Sequence, residues 1–298
     1  MTRVLAGTEK GLFDVGSGET LLHGSVGAIA RGPDAWWSVV DDHRIHSSPD
    51  ARAWSEAAGI RELSAKCLVP SDGGALIGTS EAHLVKVVGS SATRVRSFDL
   101  VPTRDDWYTP WGGPPDTRSL SRDAGGRVYA NVHVGGILVS EDGEAGWHPT
   151  GMDVDADVHQ VLAHPSVPGL AFAATAIGMA VTRDGGGSWE FTDDGLHAAY
   201  CRAVALAGDV ILLSASTSHT GRKAALYRRD LEGDAFERCS GGLPEWFADN
   251  VDTYRLDANA GSATLGTSDG VVFVSEDAGR SWSKLAAGLP SISCVVLA

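Results

Sequence analysis

The chain has 298 residues, 43% of them hydrophobic and 21% charged, the balance of a globular protein with room for one large domain or two small ones. Its 24 Lys and Arg stand against 38 Asp and Glu; a formal net charge of −14 repels phosphate backbones, and with no dense basic cluster to offset it, nucleic acid is excluded as an expected partner. No apolar run approaches the roughly 20 residues that span a bilayer, no signal-peptide pattern opens the chain, and the four cysteines form no CxxC pair, so a cytoplasmic protein with buried thiols and no membrane partner is expected.

A repeat begins in the first residues. Leu5-Ala6-Gly7-Thr8-Glu9-Lys10-Gly11-Leu12-Phe13 reads as two short apolar strands around a small Gly-Thr pair and a polar turn. Leu76-Ile77-Gly78-Thr79-Ser80 repeats the first half. Ser48-Pro49-Asp50-Ala51-Arg52-Ala53-Trp54 carries a shortened form of a second element, a polar turn ending in Trp. Residues 129–147 give a worn copy of the whole, keeping Ser140, Asp142 and Trp147. Residues 172–189 end in Thr182-Arg183-Asp184-Gly185-Gly186-Gly187-Ser188-Trp189, and 265–282 end in Ser275-Glu276-Asp277-Ala278-Gly279-Arg280-Ser281-Trp282.

These turns resemble the Asp-box, S/T-x-D-x-G-x-S/T-W, of the BNR-repeat propellers, a group that includes sialidases, sortilin-type receptors and a photosystem assembly factor. Two copies match in full, and the strand spacing covers almost the whole chain. The turn has a local cause: Ser/Thr and Asp side chains accept hydrogen bonds from turn amides, Gly takes the positive φ, and Trp packs on the sheet. The resemblance implies that the turn joins the third and fourth strands of a blade, on the rim away from the ligand face, so its carboxylates are structural.

Counting gives units at 24–62, 63–102, 115–152, 157–196, 200–244 and 250–290, leaving residues 3–25 and an orphan strand at 292–297. Paired together, these complete a seventh unit and remove the sheet edges. The expectation is an all-β, seven-bladed β-propeller of four-stranded antiparallel blades, residues 1–298 forming a single domain closed by its C-terminal strand on the N-terminal strands. Propeller repeats of about 40–45 residues suit seven blades, and no segment sustains a helical period.

In such propellers the loops leading into each innermost strand, and those between second and third strands, gather on one face around the channel. Three groups fall at those addresses. The first is residues 103–118, a long segment with Trp107, Tyr108 and Trp111 among Pro and Gly; loops beyond about 12–15 residues tend to be functional. It is expected to line a ligand pocket with these aromatics as stacking walls, the alternative being a plug that seals the channel. The second is Asp153, Asp155, Asp157 and His159, which alternation would set on one face if extended. With His133 of the preceding unit they form a His/carboxylate set that suits Zn²⁺ or another divalent ion, His43, His83 and His197 being further candidates. The alternative is that His133 and His159 simply bond carbonyls around a packed channel. The third is Arg118, Arg202, Arg222 and Lys223, placed to hold an anionic ligand or else paired with carboxylates such as Asp252.

Three functions compete. Resemblance to sialidases implies a carbohydrate enzyme, with Arg118, Arg202 and Arg222 as an arginine triad and Tyr108 or Tyr200 as nucleophile; the absent Arg-Ile-Pro segment and seven blades argue against a sialidase proper. A metal-dependent lyase, hydrolase or oxidoreductase would use His133 and His159 as ligands, with Asp157 as ligand or acid–base group. A non-catalytic propeller would bind a protein or peptide through the aromatic segment. The reading carried forward is a small-molecule pocket for a polar or anionic metabolite or carbohydrate, with His133, His159, Asp157 and Tyr200 doing the chemistry and Trp107, Tyr108, Trp111, Arg118, Arg202, Arg222 and Asp252 binding.

Overall fold

A computed structural model describes residues 3–298. It is a seven-bladed β-propeller of four-stranded antiparallel sheets. The first blade joins both chain ends: Ile292–Leu297 pairs with Val4–Thr8, which is followed by Gly11–Asp14 and Glu19–His23. The other six blades run in chain order, from Val26–Arg31 to Ser55–Gly59, Ala65–Ser71 to Ser91–Arg94, Thr117–Arg122 to His148–Pro149, Val158–Ala163 to Glu190–Thr192, Tyr200–Ala207 to Glu237–Arg238, and Leu256–Asn259 to Ser283–Ala286. The α-helical content of the described residues is a single turn, Arg96–Asp99, and no helix among them is long and apolar enough to cross a membrane.

By contacts the chain divides into two compact units, Met1–Ile29 with Ala176–Met179 and Thr192–Ala298, and Ala30–Thr175 with Ala180–Phe191. In the first, Leu212, Leu226, Phe247, Leu256, Leu265, Phe273 and Trp282 fill the space between the sixth and seventh blades. In the second, Tyr129, Ile137, Val139, Val158, Val161, Ala171 and Ala173 do so between the fourth and fifth. Burying one such aliphatic or aromatic side chain contributes about 1.5–3 kcal/mol.

The recurring Gly-Thr pair has a physical reason at both residues. A Cβ on Gly78 would lie 2.4 Å from Cys67 Sγ and 2.7 Å from Thr117 Cγ2, and one on Gly266 would lie 2.7 Å from Ile292 and Val295. Only glycine lets a neighbouring first strand come so near. The threonine that follows ties off the hairpin: Thr8 Oγ1 accepts from Gly11 N–H and donates to Gly11 O, and Thr267 Oγ1 does the same with Val271. The Asp-box-like turns lie between third and fourth strands. Ser275 Oγ accepts from Gly279 N–H while Asp277 accepts from Ser281 N–H and Oγ; Thr182, Gly186, Asp184 and Ser188 repeat that set. Gly279 and Gly186 hold φ of +81° and +100° in these turns.

Candidate functional site

Within the second unit, the first strands of the third, fourth and fifth blades share one irregularity. Thr117 pairs with Val132 but Ser119 with Asn131, so Arg118 is an extra residue. Val158 pairs with Thr175 but Gln160 with Ala174, so His159 is extra, and Lys66 is extra between Ala65 and Cys67 by the same count. A β-bulge re-aims the side chain it carries. Arg118 and His159 are thereby turned out of the regular alternation, at equivalent places in adjacent blades. Side chains lock the two blades together there: Asn131 Nδ2 donates to Val158 O at 2.9 Å, and Val161 N–H donates to Ser119 Oγ at 3.0 Å.

His133 follows the second strand of the fourth blade, its N–H held by Asp116 O at 2.9 Å. Asp157 precedes the first strand of the fifth blade in the left-handed region, φ +47°, a conformation that Asp tolerates better than most residues. Its Oδ1 lies 3.1 Å from His133 Nε2 and its Oδ2 lies 3.4 Å from His159 Nε2. Arg118 Nη1 is 3.1 Å from the same His133 nitrogen. The Trp111 ring stands over His133 with centroids 5.2 Å apart. His159 is fully buried, while His133 and Asp157 keep some surface. Burial works to raise the Asp157 carboxyl's pKa, but the two imidazoles outweigh it and hold the group well below the usual carboxylate range.

The Asp-rich stretch is not extended as alternation suggested. Val154–Ala156 forms a 3-10 turn with Asp153 as its cap, accepting from Asp155 N–H. Asp153 and Asp155 are left exposed, and Asp157 is the carboxylate that meets the histidines. The other histidines considered as ligands are engaged elsewhere. His83 Nδ1 lies 2.6 Å from Asp99 Oδ1 with Arg94 and Arg104 against its ring, and His43 Nδ1 lies 3.1 Å from Leu63 O.

The aromatic segment is anchored rather than loose. Arg104 donates to Ala82 O and Glu81 O, and Thr109 Oγ1 donates to Gly113 O. Trp107 is 9% exposed, tilted against Phe98, so it serves as the anchor of the segment, whereas Tyr108 and Trp111 are 54% and 65% exposed. Lys66, which sequence reasoning passed over, sits at the third blade's bulge, 3.6 Å from Asp116. Its signal was the strand-start position it shares with Arg118 and His159.

In the first unit, Arg202 shares a bulge with Ala203 opposite Ser214. Its Nη1 bonds both oxygens of Asp252, at 3.1 and 3.2 Å, and its Nη2 donates to Tyr200 OH at 3.1 Å. Burial favours losing the Arg202 proton, but Asp252 and Tyr200 outweigh it and raise the pKa. Arg222 is exposed in its hairpin turn. His197 Nδ1 lies 2.6 Å from Tyr227 OH, and its ring stands 5.0 Å from Trp246.

A groove of about 390 Å³ lies by the Asp-box-like turn of the fifth blade, lined by Arg127, Glu141, His148, Asp184 and Gly185–Gly187 among others. Arg127 is paired with Glu141 there, and Asp184 with Ser188 and Thr182. The convergent chemistry is at His133, Asp157 and His159 instead, and that cluster is the better candidate.

No protein-family model matches the chain, and no curated protein matches its sequence. Solved structures share its fold at low identity. A YCF48 structure bound to D1 peptide is 12% identical with a TM-score of 0.61, covering 95% of this chain and 84% of its own. The GH74 xyloglucanase from Xanthomonas campestris is 12% identical with a TM-score of 0.63, over 95% of this chain and 46% of its own. The RRP9 WD40 repeats are 14% identical with a TM-score of 0.57, over 90% and 82%. The chain spans less than half of the GH74 enzyme's length. These likenesses extend to the propeller fold, in neighbours that include both enzymes and non-catalytic modules.

Proposed function

We propose that this is a small-molecule-binding propeller whose site lies at Arg118, His133, Asp157 and His159, acting as an enzyme on a small polar or anionic metabolite. The observation that carries the reading is the paired bulge, which turns Arg118 and His159 onto one cluster with a carboxylate set between two imidazoles. A guanidinium supplies recognition of a carboxylate or phosphate, and an imidazole beside a carboxylate supplies proton transfer near neutral pH. Trp111 and Tyr108 offer aromatic faces for the ligand's apolar side. Four Asp-box-like turns with their side-chain bonds support membership among the Asp-box propellers. Four buried cysteines, none of them in a disulfide among the described residues, support a reducing, cytoplasmic setting.

The test is a thermal-shift and calorimetric panel of small carboxylates, phosphate esters and acidic sugars, run on the metal-free protein. An anion should raise the melting temperature of the wild type and leave Arg118→Ala unmoved. A panel in which no compound shifts the wild type overturns the reading. A second reading, a peptide-binding face, is favoured by the exposure of Trp111 and Tyr108 on an anchored segment. Its mark would be binding of peptides, but no small anion, lost in Trp111→Ala.

A further inference from the structure

We infer that His133, Asp157 and His159 form a binding site for one borderline divalent cation, Zn²⁺ by preference. This deepens the proposed function and rests on the same cluster. Among the described residues, the ligand atoms of these three side chains all lie within 4.8 Å of one another. Asp157 stands 3.1 Å from His133 Nε2 through Oδ1 and 3.4 Å from His159 Nε2 through Oδ2, separations near the edge of about 3.3 Å of a tetrahedron around zinc with bonds of about 2.0–2.1 Å. Closing on an ion takes a turn of the Asp157 carboxylate between the two imidazoles.

The donor set selects the metal. Two imidazole nitrogens and one carboxylate suit Zn²⁺ and its first-row neighbours, whereas Ca²⁺ and Mg²⁺ take oxygen ligands. Three protein ligands are also the number that leaves a fourth position for a reacting molecule. The donors are built in from different segments: the His159 bulge, the left-handed Asp157 and the turn after Val132. Asn131 and Ser119 hold those segments in register across the two blades.

Arg118 marks the nitrogen for which a metal would compete. Its Nη1 faces His133 Nε2 at 3.1 Å, and a guanidinium has only donors to offer. That contact is favourable when His133 Nε2 presents its lone pair, the state in which it can also ligate. The guanidinium thus stands at the nitrogen a cation would claim. Once displaced, it remains beside the metal to bind an anionic group of the molecule on the fourth position.

The test uses the full chain without an affinity tag, stripped with chelator and titrated with Zn²⁺ by calorimetry and with Co²⁺ by visible absorption. One equivalent should bind, with the intense d–d bands of four-coordinate Co²⁺. His133→Ala and Asp157→Asn should weaken binding by about 100-fold or more while melting cooperatively; Asn tolerates the left-handed conformation at 157. His43→Ala, at an exposed histidine, should bind as the wild type does. Binding weaker than about 100 µM in folded wild type, or binding unchanged by both substitutions, overturns the metal site. The anion panel on stripped protein separates the two proposals: an Arg118-dependent anion response without metal binding keeps the pocket and removes the metal, and metal binding without any anion response does the reverse.

Discussion

Arg118 Nη1 and Asp157 Oδ1 each approach the Nε2 of His133 to 3.1 Å, from groups of opposite charge. One nitrogen cannot accept from the guanidinium and donate to the carboxylate at once. The contact with Arg118 needs the lone pair; the contact with Asp157 needs the proton. The proposed cation would resolve the conflict by satisfying the imidazole and the carboxylate together, at the expense of Arg118.

From this competition it follows that Arg118→Ala should bind Zn²⁺ more tightly than the wild type, by about 10-fold, the equivalent of one charge-assisted hydrogen bond. The same variant should lose its response to anions. Parallel titrations of the stripped proteins check both. Weaker metal binding in Arg118→Ala would mean that the guanidinium supports the site instead of competing for it.

Two tryptophans four residues apart should behave in opposite ways. Trp107 packs on Phe98 with ring centroids 6.0 Å apart, and Phe98 meets Trp147 edge-on at 5.1 Å. Trp107→Ala should cost about 3 kcal/mol or more through the cavity it leaves. Trp111 is largely exposed, so Trp111→Ala should stay within about 0.5 kcal/mol of the wild type. Urea melts of both variants, beside ligand titrations, separate the anchor from the wall; a large stability loss in Trp111→Ala would place it in the core.

The blades were legible because their signals are local. Gly78 and Gly266 mark where a first strand passes, Thr8 and Thr267 close the hairpins, and Asp184 and Asp277 mark the outer turns. The candidate site was legible only as a wider set of residues. That His133 would meet Asp157 and not Asp153 or Asp155 depends on a 3-10 turn that alternation could not foresee. That Arg118 and His159 are aimed together depends on bulges, which are register features between strands. Nor does local sequence distinguish Trp107 from Trp111: Trp107 packs on Phe98 of the preceding helical turn, while Trp111 lies beside His133.

The outer turns should contribute measurable stability. Asp277 accepts from Ser281 N–H at 2.8 Å, Ser281 Oγ at 2.6 Å and Ser275 Oγ at 2.9 Å. The Ser281 hydroxyl and amide, more than any charge, lower its pKa to about 2. A carboxylate with a depressed pKa stabilises the fold above its unfolded value near 3.8 and loses that contribution as pH falls through about 2. Because the group is exposed, Asp277→Ala should cost only about 1 kcal/mol at neutral pH. A lower urea midpoint with an unchanged slope checks this; no shift would mean that water replaces the turn bonds without loss.

Asp257 should act in the opposite sense. Its residue keeps some surface, yet the carboxyl itself is closed in, and that burial raises its pKa to about 6 against the lowering effect of the Leu297 and Ala258 amides. Leu297 N–H donates to Oδ2 at 2.8 Å, tying the closing strand to the seventh blade's first strand. A carboxyl raised in the fold costs nothing below its unfolded pKa near 3.8, because both states are protonated there. Between that value and about 6 the unfolded chain ionises first, so stability falls as pH rises, and above about 6 the cost is constant. Asp257→Asn keeps an oxygen for the Leu297 amide and removes the ionisation. The gap of about two units caps the gain at about 3 kcal/mol, and residual exposure reduces it to about 1–2 kcal/mol. Urea melts at about pH 4 and about pH 8 decide the matter: the variant should match the wild type in acid and exceed it in base. A variant equal to the wild type at about pH 4 but less stable at about pH 8 would show that the charged carboxylate, not the oxygen alone, holds the closing strand.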